Sequence, residues 1–233
     1  QILFTNSHLV KQEVLSYYNL APEKIQVVHN GVEWTALEPY FHSWHQKKQA
    51  ILQNLKLPSS CYHFLFIGNN YRRKGLSKLL QALSLIGNQS FHLSVIGKEY
   101  YLADFEQQVS ALNLESKVTF FGSRNDTYQF YQYADSLVIP SFYDPFANVT
   151  VEALAMGLFV VSSARNGGSE ILSPTTGTVI ESLEDISSFA EALHTALTHP
   201  KTEKSALAIR ESVKSFDFSH QLDHMIESIL INN

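Results

Sequence analysis

The sequence predicts an α/β fold, a Rossmann-like parallel sheet with helices on both faces. Apolar, β-prone runs alternate with helical patterns along most of the 233 residues. Runs such as residues 64–67 and 159–161 are apolar without alternation, which is typical of strands covered on both faces. Because helical stretches separate these strands, we expect neighbouring strands to run parallel.

The elements follow in order from these patterns. An opening strand is expected to lead into a helix start by Ser7. The later apolar runs predict strands at 25–29, 62–68, 92–97, 117–121, 136–140, 158–162 and 177–180. Helical patterns predict helices at 74–86, 102–112, 128–134, 149–156 and 183–198.

Two further segments lie outside this alternation. Residues 34–57 are polar and aromatic, and we expect a loop followed by a surface helix. In residues 218–230, apolar side chains at helical spacing predict an amphipathic helix: Leu222, Met225, Ile226 and Ile229.

Composition narrows the classes of function. Hydrophobic residues make up 45% of the chain and charged residues 17%, as in ordinary globular proteins. A formal net charge of −5 argues against a nucleic-acid partner, since such binding needs a basic surface. The single cysteine, Cys61, excludes an internal disulfide and fits a reducing compartment. The chain shows neither a signal-peptide pattern nor an apolar run of roughly 20 residues, so we expect a cytoplasmic protein.

Asp144 and Glu152 lie eight positions apart and flank a short loop that leads into a helix. Such a loop can hold one acid, while the first helical turn directs backbone N–H groups and the second acid to a common point. This layout suits a sugar joined to a diphosphate. The alternatives are a turn at Asp144 before Pro145 and helix-dipole compensation by Glu152.

Arg72, Arg73 and Lys74 follow a predicted strand and precede Gly75. Cations held in a loop can stabilise the negative charge that a diphosphate leaving group gains as its bond to the sugar breaks. The alternative is a solvated basic turn.

These motifs resemble those of retaining glycosyltransferases of family 4, which have the GT-B fold of two Rossmann-like domains. Residues 143–161 are similar to the family's acid-x7-Glu motif, and residues 66–75 to its glycine-then-Arg-Lys-Gly loop. Residues 122–126 and 166–170 lie where two further family loops belong. The resemblance covers nearly the whole chain and is greatest to the lipopolysaccharide core glucosyltransferase I group.

The resemblance implies a role for each motif residue. Arg73 and Lys74 would bind the donor diphosphate beside Gly68, and Asp144 would contact the donor sugar; these three charged residues are the implied catalytic set. Glu152 would bind the ribose. Main-chain contacts to the sugar, phosphate and base are implied for Phe146, Ala147, Asn148, Ser123 and Arg124.

The chain departs from the family pattern at Asn69, Asp144 and Phe159, of which Phe159 replaces a proline in a strand. Asn69 stands where many relatives carry an arginine, and Asp144 replaces the commoner glutamate, whose reach is one methylene longer.

An ion pair with Asp126 or Asp135 is the alternative for Arg124. A tight turn equally explains the glycines of residues 166–170.

The resemblance also implies a domain organisation, the C-terminal half of a GT-B fold. Residues 1–32 would be a remnant of the N-terminal acceptor domain with the interdomain strand, 33–217 the nucleotide-sugar-binding domain, and 218–233 a C-terminal crossover helix. Because the chain opens at Gln1 without an initiator methionine, we expect a piece of a longer protein that is inactive by itself.

The implied activity is transfer of a sugar, with glucose preferred, from a UDP-sugar donor to a glycan or lipopolysaccharide-type acceptor, with retention of configuration. The acceptor would be bound mainly by the missing domain, and the full-length enzyme could sit at the inner face of the cell membrane. No metal or other cofactor is expected: His220 and His224 lack further ligands, and the Asp-x-Asp metal motif is absent.

Two other functions remain open. A nucleotide-sugar epimerase shares the uridine-diphosphate-binding half of the fold but is expected to lack the acid-x7-Glu pair. A non-catalytic nucleotide-binding module would bind the donor without transferring its sugar.

Overall fold

A computed structural model describes residues 2–231 of the chain. Gln1, Asn232 and Asn233, which the predicted terminal segments include, lie outside the described residues.

A six-stranded parallel sheet forms the centre of the molecule, in the order β5-β4-β3-β6-β7-β8. Its strands are β3 (Tyr62–Ile67), β4 (Phe91–Ile96), β5 (Val118–Gly122), β6 (Ser136–Ile139), β7 (Phe159–Ser163) and β8 (Gly177–Ile180). The predicted fold class, an α/β parallel sheet, is thus confirmed.

Helices cover both faces of this sheet because successive strand residues point to opposite sides. On one face, Leu65 and Val160 pack in a core with α2 (Trp34–Asn54), α5 (Thr127–Tyr133), α6 (Asn148–Ala155) and α8 (Glu203–Ser212). On the other face, Phe64 and Val161 pack with α3 (Leu76–Leu85), α4 (Leu102–Ala111) and α7 (Ile186–Leu197). The non-alternating strand sequences are explained by this burial on two sides.

Residues 34–57 contain the expected helix, but the loop predicted before it is absent. Helix α2 runs continuously from Trp34 to Asn54 and packs against α5. Its apolar side chains lie at helical spacing along one buried face: Leu37, Phe41, Trp44, Ile51 and Leu52. Polar residues between them obscured this stripe in the sequence.

Helix α8 was not predicted. Its start carries a capping box in which the Ser205 amide donates to the Thr202 hydroxyl (3.1 Å) and the Thr202 amide to the Ser205 hydroxyl (2.9 Å). Serine at the second position of the box, instead of the usual Glu or Gln, weakened the signal.

Residues 2–30, called here the N-terminal unit, form a small sheet and helix beside the six-stranded sheet. Strands β1 (Leu3–Thr5) and β2 (Ile25–Val27) pair in parallel, and α1 (His8–Tyr17) lies between them in the chain. The chain then bridges from Val32 to Asp217, just before α9 (Phe218–Ile231). The predicted helix at residues 218–230 is present as α9, and its apolar side chains Leu222, Ile226 and Ile229 are between 42% and 46% exposed.

Among residues 2–231, no helix combines the length and apolar character that crossing a membrane requires.

Candidate functional site

The candidate site lies where the sheet order reverses, between the neighbouring strands β3 and β6. The loop after β3 carries Arg73 and Lys74, and the loop after β6 carries Asp144. Because both strands are parallel, both loops leave the same edge of the sheet, the place where α/β folds bind ligands.

Two glycines allow Lys74 to reach across the loop. Gly75 has a φ of 76°, and a Cβ there would lie 1.8 Å from the Pro140 carbonyl oxygen. A Cβ at Gly68 would lie 3.0 Å from Cγ of Lys74, so the lysine stem lies directly over this glycine. The close packing directs the ammonium group towards β6.

Asp144 receives that ammonium group. Its Oδ2 accepts a hydrogen bond from Nζ of Lys74 and lies 3.7 Å from a guanidinium nitrogen of Arg73. Asp144 is only 7% exposed, and its backbone is fixed by an N–H bond to the Arg165 carbonyl (2.9 Å) and a bond from the Gly167 amide (2.9 Å). Two cations and one carboxylate therefore converge, with Lys74 and Asp144 largely buried and Arg73 at the rim, 46% exposed.

Helix α6 begins beside this cluster. The Ala147 amide donates to Oδ1 of Asn166 (3.0 Å), so it is already bound, in contrast to its implied role as a ligand for the donor. The amides of Asn148 and Val149, in the first turn, have no intrahelical acceptor, as at any helix start. These two amides can face an anion.

A cavity of about 520 Å³, a size usual for small-molecule sites, connects these groups. Seven of the implied donor-binding residues line it together: Gly68, Arg73, Lys74, Asp144, Phe146, Ala147 and Asn148. Asn6 and Asn30 line it as well. Sequence reasoning missed both asparagines, since neither lies in a motif after a strand of the main sheet.

Glu152, Ser123 and Arg124 do not line this cavity. Glu152 lies further along α6, where its Oε2 accepts a hydrogen bond from the Tyr131 hydroxyl (2.7 Å). Burial raises the pKa of Glu152, and the bond from Tyr131 offsets part of that rise. The implied ribose contact of Glu152 stays a prediction.

Arg124 forms the ion pair with Asp126 that was its alternative, with nitrogen-to-oxygen distances of 2.8 and 2.6 Å. The hydrogen bond from Arg124 lowers the pKa of the Asp126 carboxyl. Ser123 is exposed at the end of β5. Arg72 pairs with Asp104 at 2.7 Å, away from the cavity.

The loop of residues 166–170 has a structural role that its two glycines allow. Asn166 is fully buried: Oδ1 accepts from the Ala147 and Gly168 amides (both 3.0 Å), and Nδ2 donates to Ser162 (2.9 Å) and Thr150 (3.2 Å). One side chain thus connects β7, this loop and the start of α6.

Glu170 joins the same loop to the N-terminal unit. Its carboxylate accepts from the His8 and Leu9 amides (2.8 and 2.7 Å) and lies 3.2 Å from Nε2 of His29. Burial opposes ionisation of Glu170, but the bonds from His29, His8 and Leu9 outweigh it and lower the pKa. The carboxylate binds the first turn of α1, where the helix dipole favours a negative charge.

Within the described part of the chain, no group of three or more His, Cys, Asp or Glu side chains is placed to hold a metal ion.

Comparison with known proteins is consistent with this geometry. Residues 47–214 match the family described as glycosyl transferases group 1. The chain is 32% identical over 173 residues to the uncharacterized glycosyltransferase MJ1607 of Methanocaldococcus jannaschii, covering 73% of this chain and 44% of that protein. It is 27% identical over 190 residues to the lipopolysaccharide glucosyltransferase WaaG of Escherichia coli, covering 78% and 49%. The chain therefore spans about half the length of these relatives.

The fold also matches solved structures. HepE of Anabaena, crystallised with UDP and glucose, superimposes with a TM-score of 0.76 over 98% of this chain and 62% of HepE, at 18% identity.

Proposed function

Because the chain belongs to the glycosyl transferases group 1 family, we propose that it is the donor-binding part of a retaining hexosyltransferase that uses a UDP sugar. The donor sugar is proposed to be glucose, and the acceptor a lipopolysaccharide-type glycan. The complete protein would bind this acceptor mainly through parts outside this chain and would act in the cytoplasm, at the inner face of the membrane.

The observation that carries the proposal is the meeting of Arg73, Lys74 and Asp144 at one cavity between β3 and β6. A diphosphate needs concentrated positive charge, and a sugar needs hydrogen-bonding groups beside it. This cavity has both the positive charge and the hydrogen-bonding groups.

Arg73 and Lys74 are proposed to bind the diphosphate. As the bond between sugar and phosphate breaks, negative charge grows on the departing oxygen, and fixed cations stabilise this state more than the ground state. The Asn148 and Val149 amides at the start of α6 add partial positive charge. With these groups, we propose that the reaction needs no metal ion.

Asp144 is proposed to have two tasks. Its Oδ2 holds Lys74 in place, and Oδ1 remains to accept a hydrogen bond from a hydroxyl of the donor sugar. The departing phosphate oxygen would then accept the proton of the acceptor hydroxyl, whose oxygen bonds to the anomeric carbon on the face that the phosphate leaves, so the configuration is retained.

Two relatives support the choice of donor and acceptor class. The E. coli relative is named a lipopolysaccharide glucosyltransferase, and HepE was crystallised with UDP and glucose. Each shares the fold, and the first also shares about a quarter of the aligned residues.

Calorimetric titration of the complete protein with UDP, GDP, ADP and their glucose conjugates, with and without magnesium, tests the proposal. We expect selective binding of UDP and UDP-glucose without metal, and transfer of labelled glucose to a lipopolysaccharide acceptor. Selective binding of GDP or ADP would contradict the proposed base. Binding without transfer to any acceptor glycan would favour a non-catalytic module.

A further inference from the structure

Asn6 and Asn30 belong to the small N-terminal unit, and their side chains line the cavity between β3 and β6. Asn6 follows β1 directly, and Asn30 lies three residues after β2. Since β1 and β2 are parallel, the two asparagines leave the small sheet at one edge, and this edge faces the cavity at the end of β3 and β6. The small sheet thus supplies a second wall of the site.

The chemistry of this wall differs from that of the loop after β3. Arg73 and Lys74 carry the positive charge that suits phosphate, whereas Asn6 and Asn30 are neutral. An asparagine amide donates and accepts hydrogen bonds, as a sugar hydroxyl does, while diphosphate oxygens only accept. The cavity therefore has a cationic part and a neutral amide part.

The amide part has unused hydrogen-bonding capacity. Asn30 donates through Nδ2 to Oδ1 of Asn148 (2.7 Å), so the side-chain oxygen of Asn30 remains available to accept a hydrogen bond. The side chain of Asn6 makes no hydrogen bond to any residue among 2–231, although it is half-buried at the cavity. A half-buried amide facing a cavity is well placed for a polar ligand.

The position of Asn6 is held firmly. The neighbouring Ser7 donates its hydroxyl to the Pro145 carbonyl (2.7 Å), in the loop that carries Asp144. Gly167 permits this approach, because a Cβ there would lie 2.5 Å from Cβ of Ser7. Asn6 is therefore fixed relative to Asp144 by contacts of the adjacent residue.

We propose that Asn6 and Asn30 bind hydroxyls of the donor sugar, together with Asp144, and so help to decide which hexose is transferred. This inference rests on the proposed function, since it requires a nucleotide sugar in the cavity. Asn6 is the cleaner test, because Asn30 also supports Asn148.

The test measures affinities of Asn6→Ala in the complete protein for UDP, GDP and ADP and for their glucose conjugates. We expect the affinity for the free nucleotide that the wild type binds to be unchanged. The affinity for its glucose conjugate should fall by about fivefold, the loss expected for a neutral hydrogen bond. The matched control is Asn88→Ala, an exposed asparagine outside the cavity, which should change neither value. If Asn6→Ala does not fold, Asn6→Ser replaces it.

The outcomes separate the two proposals. Equal affinities of variant and wild type for the conjugate, or an equal loss for nucleotide and conjugate, would overturn the role of Asn6 and leave the donor site standing. A wild-type protein that binds none of the six compounds would overturn the proposed function and, with it, this inference.

Discussion

Lys74 shows how one residue can depend on a glycine and on a distant acid. Its stem lies over Gly68, and its ammonium group meets Asp144, seventy positions away in the chain. The Lys74 and Asp144 side chains are only 12% and 10% exposed. A shielded charge without a partner is unfavourable, so each of the two side chains requires the other.

Replacing Lys74 by alanine should weaken binding of the nucleoside diphosphate by more than about 1 kcal/mol, the scale of a charge-assisted hydrogen bond. Calorimetry on the complete protein measures this change. Lys78→Ala is the control, because Lys78 pairs with Glu184 at 2.6 Å and does not line the cavity. Unchanged affinity in Lys74→Ala would remove this residue from the site.

At the scale of elements, Asn166 positions the start of α6. Its four hydrogen bonds join β7, the 166–170 loop and the helix that carries Asn148. No periodic pattern in the sequence marks such a residue, because its partners come from three separate segments.

Asn166→Ala should lower the free energy of unfolding by about 2 to 4 kcal/mol, since buried amides and hydroxyls lose their partner. Denaturant unfolding measures the loss. Asn54→Ala, at the exposed end of α2, should have almost no effect. A loss for Asn166→Ala as small as that of the control would contradict the structural role.

The strand pair β3–β4 contains another buried polar element. His63 and His92 are register partners with ring centroids 6.3 Å apart, and burial lowers the pKa of each to about 4. Both are therefore neutral in the folded protein at neutral pH. Both histidines protonate more easily in the unfolded chain, where the ordinary histidine pKa is 6.5.

The contribution of these two neutral histidines to the free energy of unfolding should be fully present above pH 6.5. It should fall as the pH drops towards 4, because the unfolded chain then binds more protons than the folded one. Unfolding free energies measured across this range should rise with pH, and His92→Gln should make this rise less steep. His42→Gln, in which an exposed histidine of α2 is replaced, should keep the wild-type slope. An identical slope in His92→Gln would contradict the buried neutral state.

On the scale of the whole molecule, the N-terminal unit and the main domain meet through Glu170. The carboxylate binds the start of α1, while Tyr143 beside Asp144 donates its hydroxyl to Glu13 of α1 (2.6 Å). These contacts hold Asn6 and Asn30 at the cavity. The two-walled site exists only when both units are in contact.

The contact through Glu170 should depend on pH. Its folded pKa is lowered, so its contribution is present above the ordinary value of 4.5 and is lost as the pH falls through the folded pKa. Hydrogen exchange of the His8 and Leu9 amides should accelerate in acid relative to the intrinsic rate. Glu170→Ala, which removes both acceptor oxygens, should show fast exchange already at neutral pH, and protection equal to wild type would contradict the contact.

The sequence by itself determined the sheet, the order of most strands and helices, and the loops that carry Arg73, Lys74 and Asp144. These features are local: apolar runs, helix periodicity and motifs directly after strands are written into short segments. Sequence reasoning missed α8, whose N-terminal cap gives a weak signal, and predicted a loop where α2 begins, because polar residues obscured the apolar face of α2.

Only the tertiary structure decided which candidates share a cavity. It joined Lys74 to Asp144, bound the Ala147 amide to Asn166, paired Arg124 with Asp126 and brought Asn6 and Asn30 to the site. Each of the first two contacts depends on the packing of segments far apart in the chain. Such contacts arise from how parallel strands and a second small sheet meet, which no local pattern encodes.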